Sequence, residues 1–172
     1  YRLGNIFERG LADKQDYSLS RKYFQLSASA NSMKSYFRLG VIYLDGLGVK
    51  VNVNKAIENF NTCTQFYQNL EIYSRYNFYY CLSSNYLGLI YITSFPETDM
   101  ENAEIHLREG HYGSFSYSQN NLGLLYLLFT KKTGNAEFLF EEAGKQGFAL
   151  AYYNLGFMNE QNEEIEKAIY FY

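Results

Sequence analysis

Five times along this chain the dipeptide Leu-Gly recurs, at Leu3-Gly4, Leu39-Gly40, Leu87-Gly88, Leu122-Gly123 and Leu155-Gly156. Each pair lies in a stretch with helical character, where an interior glycine costs about 1 kcal/mol relative to alanine. Five recurrences of that cost call for a compensating gain, and a residue without a side chain supplies one by letting a neighbouring helix approach closely. The leucines are 36, 48, 35 and 33 residues apart. Self-similarity at such periods is the signature of stacked helical repeats, so the fold class follows from the spacing before any finer feature is considered.

A second periodic pattern follows each Leu-Gly. A small residue stands at Ser20, Ala56, Ala103, Ala136 and Ala168, with a large one four positions later at Phe24, Phe60, Leu107, Phe140 and Tyr172. Seven positions after the small residue another follows at Ser27, Cys63, Gly110 and Ala143. Offsets of four and seven return to one face of an α-helix. The Leu-Gly segments carry their own stripe: Ser35, Ser83, Ser118 or Ala151 four residues before the leucine, and Phe7, Tyr43, Tyr91, Tyr126 or Asn159 four after. Each repeat therefore reads as a hairpin of two amphipathic helices. Gly46-Leu47-Gly48 and Lys132-Thr133-Gly134 read as helix ends, and Pro96-Glu97-Thr98 as a turn into the next helix. From each small residue to the next leucine the distance is 19, 31, 19 and 19 residues, so the junction after Ala56 carries 12 extra.

Ser35 to Val49 (SYFRLGVIYLDGLGV), followed by Lys55-Ala56, resembles the Sel1-like repeat, a relative of the tetratricopeptide repeat; Ala151 to Gly156 with Lys167-Ala168, and Glu142 to Gly147, are similar to it. The resemblance extends over the whole chain and implies an all-α, right-handed superhelical solenoid of about five hairpins, arranged as repeats 1–30, 31–70, 71–112, 113–146 and 147–172. It implies a non-catalytic scaffold or adaptor that binds a protein or peptide on a concave face lined by the first helices. Alternatives from the same resemblance are a bacterial immunity or host-interaction protein, an adaptor in a eukaryotic secretory-pathway complex, and a hydrolase of the cysteine-rich-repeat type. The regular cysteine pairs of that last group are missing from this sequence.

Composition narrows the partner class. A net charge of −3, with no run of lysine or arginine, gives no field to hold nucleic acid. The nearly charge-free stretches 75–97 and 109–131 are interrupted by Ser83, Ser84, Asn85, Gln119, Asn120 and Asn121, which fits buried solenoid helices rather than membrane spans. The pattern starts just after Tyr1 and still runs at Tyr172, so the chain is expected to be part of a longer protein whose compartment is not readable here.

Neither a metal site nor a cofactor is expected. His106 and His111 are five residues apart, on different faces of a helix, and lack further ligands at suitable spacing. His106 occupies a packing slot, and His111 is placed near a helix end in solvent. Cys63 stands at a small, buried position; a disulfide with Cys81 in an oxidising compartment is left open. No nucleophile elbow, phosphate loop or dinucleotide fingerprint is present.

In a tetratricopeptide-like hairpin the concave positions flank the leucine at offsets −5, −2, +2 and +5 or +6. The resemblance thus nominates Phe37, Asn85, Asn120 and Tyr153 at −2 and Tyr117 at −5 as partner contacts. Asn85 and Asn120, equivalent in successive repeats, have amides suited either to an extended peptide backbone or to neighbouring helices and water. The long junction is crowded with aromatics, among them Tyr73 and Tyr76, which serve either as an interface or as packing between repeats.

Overall fold

The computed structural model describes residues 1–11, 14–68, 78–94 and 99–172; Tyr73, Tyr76 and the Pro96 turn lie outside the described residues. The described chain is entirely helical and forms five hairpins. These are α1 (Arg2–Arg9) with α2 (Tyr17–Ala28), α3 (Met33–Asp45) with α4 (Val53–Gln68), and α5 (Phe78–Ser94) with α6 (Met100–Tyr112). Then come α7 (Ser116–Leu125), continued by a π-helical turn over Tyr126–Thr130, with α8 (Thr133–Lys145), and α9 (Ala149–Gln161) with α10 (Ile165–Phe171).

The two sequence stripes meet inside each hairpin. A Cβ placed on Gly4 would come within 2.6 Å of the Phe24 ring; on Gly40, within 2.5 Å of Phe60. The corresponding approaches are 2.6 Å to Leu107 from Gly88, 2.6 Å to Phe140 from Gly123, and 2.8 Å to Tyr172 from Gly156. Every Leu-Gly glycine is therefore the socket for the large residue of its own second helix. Phe24, Phe60, Leu107 and Phe140 are fully buried there. Burial of such a side chain is worth about 1.5–3 kcal/mol, which offsets the glycine's helix penalty. The exception is Tyr172, which covers Gly156 but stays 60% exposed.

The small residues serve a second contact, between hairpins. Gly110 of α6 lies against Ser118 of α7, where a Cβ would come within 2.0 Å of the Ser118 hydroxyl. Cys63 of α4 takes the corresponding place beside Ser83 of α5, and its thiol donates to the Tyr79 carbonyl at 3.8 Å. Ser35, Ser83, Ser118 and Ala151 are all fully buried. Cys63 and Cys81 are buried free thiols, and burial raises both from an ordinary value of 9.0 to about 11.

Helix ends follow local chemistry. Asp16 caps α2 by accepting from the Leu19 amide at 2.9 Å, and Asn52 caps α4 by accepting from Lys55 at 2.9 Å. Gly46 ends α3 in the left-handed region (φ 70°), as its place in the Gly46-Leu47-Gly48 connector requires. The Lys132-Thr133-Gly134 connector differs from expectation: Gly134 lies in the first turn of α8, and Lys131, at φ 55°, ends the π turn. The four leucines from Leu39 onward are buried, whereas Leu3 is half exposed.

First helices of successive hairpins touch each other, α3 with α5, α5 with α7 and α7 with α9, whereas no comparable contact joins successive second helices among the described residues. The first helices therefore form the inner, concave layer of the stack.

Gly123→Leu is expected to overpack the Phe140 socket and destabilise the protein by roughly 1–3 kcal/mol, measurable by urea unfolding. The cysteines predict a second effect. Below the unfolded-state value near 9 both thiols are neutral in both states, so their contribution is constant; as pH rises toward about 11 only the unfolded state ionises fully, and stability falls. Native protein at pH 8 should accordingly resist alkylation by iodoacetamide, and unfolded protein should react readily.

Candidate functional site on the inner face

Along the inner layer, the residue just before the leucine in one repeat reaches the residue two before the leucine in the previous repeat. Asn154 Nδ2 donates to Asn120 Oδ1 at 2.7 Å, and Asn121 Nδ2 donates to Asn85 Oδ1 at 2.9 Å. Tyr86 makes the same step to Phe37 with rings instead of amides, at 5.7 Å between centroids. Asn85 also accepts from Ser118 Oγ at 3.4 Å. Asn85 and Asn120 are 5% and 1% exposed. Of the two uses left open for these amides, the one made here is bonding between neighbouring helices.

Phe37, 4% exposed, is a core residue packed on Phe60, Tyr79 and Tyr86. Tyr117 and Tyr153 are 51% and 56% exposed. Tyr117 packs on Phe148 (4.7 Å) and on Phe115 (5.2 Å), which in turn meets Phe78 at 5.9 Å. An aromatic row thus runs along the starts of α5, α7 and α9. Tyr153 meets Tyr172 at 5.5 Å, and Phe157 of α9 is partly exposed.

At the other end of the inner face a cleft of about 320 Å³ opens between α1, α3 and α5, walled by Tyr1, Phe37, Phe78 and Tyr79. Its floor holds an ion pair between Glu8 and Arg38, with side chains 8% and 28% exposed. Arg38 Nε is buried without a hydrogen-bond partner. Tyr1 and Tyr79 share a hydroxyl contact at 3.3 Å, and Lys34 lies over both rings at 5.9 and 5.5 Å. Sequence reasoning missed Arg38 and Glu8. The available signal was Arg38 itself, a charge at the position taken by Asn121 and Asn154 in later repeats.

The histidines occupy different surroundings. His106 stacks on Tyr91 at 5.5 Å with nearly parallel rings, and burial lowers its pKa. His111 is near the end of α6 as expected but is partly buried rather than solvated. Burial, then the charge of Arg108, holds its pKa below the ordinary value.

Stacked hairpins with a continuous inner layer define an α-solenoid repeat protein. The Sel1 repeat model matches residues 1–32, 34–61, 116–148 and 149–172, and the chain belongs to the Sel1 repeat family. Members of this family commonly act as protein-interaction scaffolds. The hairpin α5–α6 lies outside the matched residues. The chain is similar to a Sel1 repeat protein from Oxalobacter formigenes (TM-score 0.79, 22% identity, 99% of this chain and 68% of that one). It is also similar to c5321, a protective antigen of uropathogenic Escherichia coli with an SLR fold (TM-score 0.81, 22% identity, 99% of this chain and 36% of that one). In sequence, 55 residues are 38% identical to the ERAD-associated E3 ubiquitin-protein ligase component HRD3B of Arabidopsis thaliana, covering 31% of this chain and 9% of that protein. Among the described residues no helix is long and apolar enough to cross a membrane.

Asn154→Leu is expected to leave Asn120 Oδ1 buried without its donor, at a cost of about 1–3 kcal/mol. Asn120→Leu/Asn154→Leu should be less destabilised than the two single losses summed, since both polar groups leave together. Urea unfolding of the three variants checks this.

Proposed function

We propose that the protein is a non-catalytic scaffold that holds an extended peptide segment of a protein partner across its inner face. The observation that carries this reading is the exposure of Phe78, Tyr117 and Tyr153 on three successive inner helices, beside neighbours that are sealed. Tyrosine offers a large contact area at low entropic cost, and an aromatic row open to water on a concave surface is the usual composition of an interface core. The asparagine rungs join the same three inner helices and fix their spacing. Asn85, Asn120 and Phe37 act in this reading as supports that position the contacting rings.

The cleft at α1, α3 and α5 extends the same surface toward charge, with Lys34 and Arg38 beside aromatic walls. Residues Tyr73 and Tyr76, adjoining Phe78 in sequence, are proposed as a further part of the partner contact. The 12-residue surplus of their junction gives this protein a feature that the regular repeats lack.

Affinity capture tests the proposal. Tyr117→Ser/Tyr153→Ser should abolish recovery of a specific partner, while Tyr170→Ser, an equally aromatic change at an 83% exposed position on α10, should leave recovery intact. Replacement of residues 68–76 by a short linker should weaken capture. Unchanged recovery from the double variant with an unchanged melting temperature would refute the assignment of this face.

A further inference from the structure

A second cleft lies on the opposite side, between the second helices α6 and α8, with a volume of about 450 Å³. Its chemistry is unlike that of the inner face. Glu104 of α6 accepts from the Tyr126 hydroxyl at 2.7 Å, lies 3.3 Å from Lys132 Nζ and lies 3.7 Å from Arg108. One carboxylate is thus shared by a phenol and two cations, and the cluster retains a positive charge. Glu142, the other acid that acts on this wall, is paired with Lys145 at 3.0 Å.

Donors also outnumber acceptors. The guanidinium of Arg108 has five N–H groups, and its close contact is the Tyr112 hydroxyl at 2.8 Å. Lys132 stands over the Tyr126 ring at 4.7 Å. On the same wall, His111 Nδ1 is buried without a partner. The rest of the lining is apolar: Leu122 and Leu139 are buried in its floor, and Phe138 and Tyr112 are half exposed at its rim.

The backbone is specially shaped to make this arrangement. The chain leaves α7 through the π turn, with Lys131 in the left-handed region and the Lys132 amide donating to the Tyr126 carbonyl at 3.0 Å. Tyr126 stands at its regular stripe position, and the turn that follows it leads into Lys132, so hydroxyl and ammonium both meet Glu104. Single π turns of this kind concentrate at functional sites, and non-glycine residues in the left-handed region also cluster where function requires them.

We propose that this outer cleft binds a carboxylate carried on an apolar body, with Arg108 and Lys132 holding the anion and Phe138 the apolar part. A fully hydrated inorganic ion would have no use for the apolar floor, and a neutral apolar ligand would make no use of the two cations at the rim. The site is independent of the inner-face reading, because it shares no residue with it. The ligand is either a free small acid or the C-terminal carboxylate of a peptide ending in an aromatic residue.

The test is an NMR titration of the folded protein, following the backbone amides of Lys131, Lys132 and Asn135, with four probes. These are 3-phenylpropionate, its neutral amide, the peptide acetyl-Ala-Ala-Phe with a free C-terminus, and the same peptide amidated. Saturable shifts are expected with at least one acid and not with its amide. Response to phenylpropionate alone assigns the cleft to free acids, whereas response to the free-acid peptide assigns it to chain ends. Arg108→Gln and Lys132→Gln, both at exposed positions that tolerate substitution, should each weaken binding about five-fold or more. Glu104→Gln, by removing the competing carboxylate, should tighten it, a direction that loss of a merely structural contact would not give. No saturable shift with either acid, equal binding of acid and amide, or weakening by Glu104→Gln would overturn the proposal.

Discussion

The closeness of the two helices within each hairpin is the constraint on which the remaining structure rests. A Phe or Leu of the second helix fills the place that a side chain on the first would occupy, within 2.5–2.6 Å of a Cβ that is absent. Because the pairs are packed this tightly, the small stripes are free to meet the next hairpin, Gly110 on Ser118 and Cys63 beside Ser83. That second contact brings successive first helices together. The asparagine and aromatic rungs, the exposed row along α5, α7 and α9, and the cleft above Glu8 and Arg38 all depend on that inner layer.

The two faces of the stack then acquire different chemistry from the same scaffold. Inside, amide pairs such as Asn120 with Asn154 are buried and satisfied, which fixes register between repeats and leaves aromatic rings exposed on the surface above α7 and α9. Outside, a single π turn departs from the repeat geometry and leads into Lys132, which joins Arg108 beside Glu104. The irregular features carry the individual character of this protein, since the regular ones are used up in building the solenoid.

Much of this was readable in the chain. The Leu-Gly pairs and the small and large stripes recur at helical spacing, so five hairpins follow from periodicity. What periodicity cannot supply is the partner across a contact. Gly123 and Phe140 were each visible as members of a stripe, but their union required knowing which faces of two helices meet. Asn85 was visible as equivalent to Asn120, yet its bond to Asn121 joins residues 36 positions apart, with no local signal to mark it. The π turn was hidden for a similar reason: Lys132-Thr133-Gly134 announced a helix end, and not that Tyr126 and Lys132 would converge on Glu104. His111 was assigned to solvent from its place at a helix end, but the next hairpin covers one side of it.

The most direct measurement is a double-mutant cycle between Gly40 and Phe60, with stabilities taken from reversible urea unfolding. In the wild-type background Gly40→Ala should destabilise, because the new methyl meets a fully buried ring. With Phe60→Ala already present, the same change should become neutral or stabilising, as the helix-propensity gain of up to about 1 kcal/mol is unmasked. Strictly additive effects of the two substitutions would contradict the socket as the organising contact of this fold.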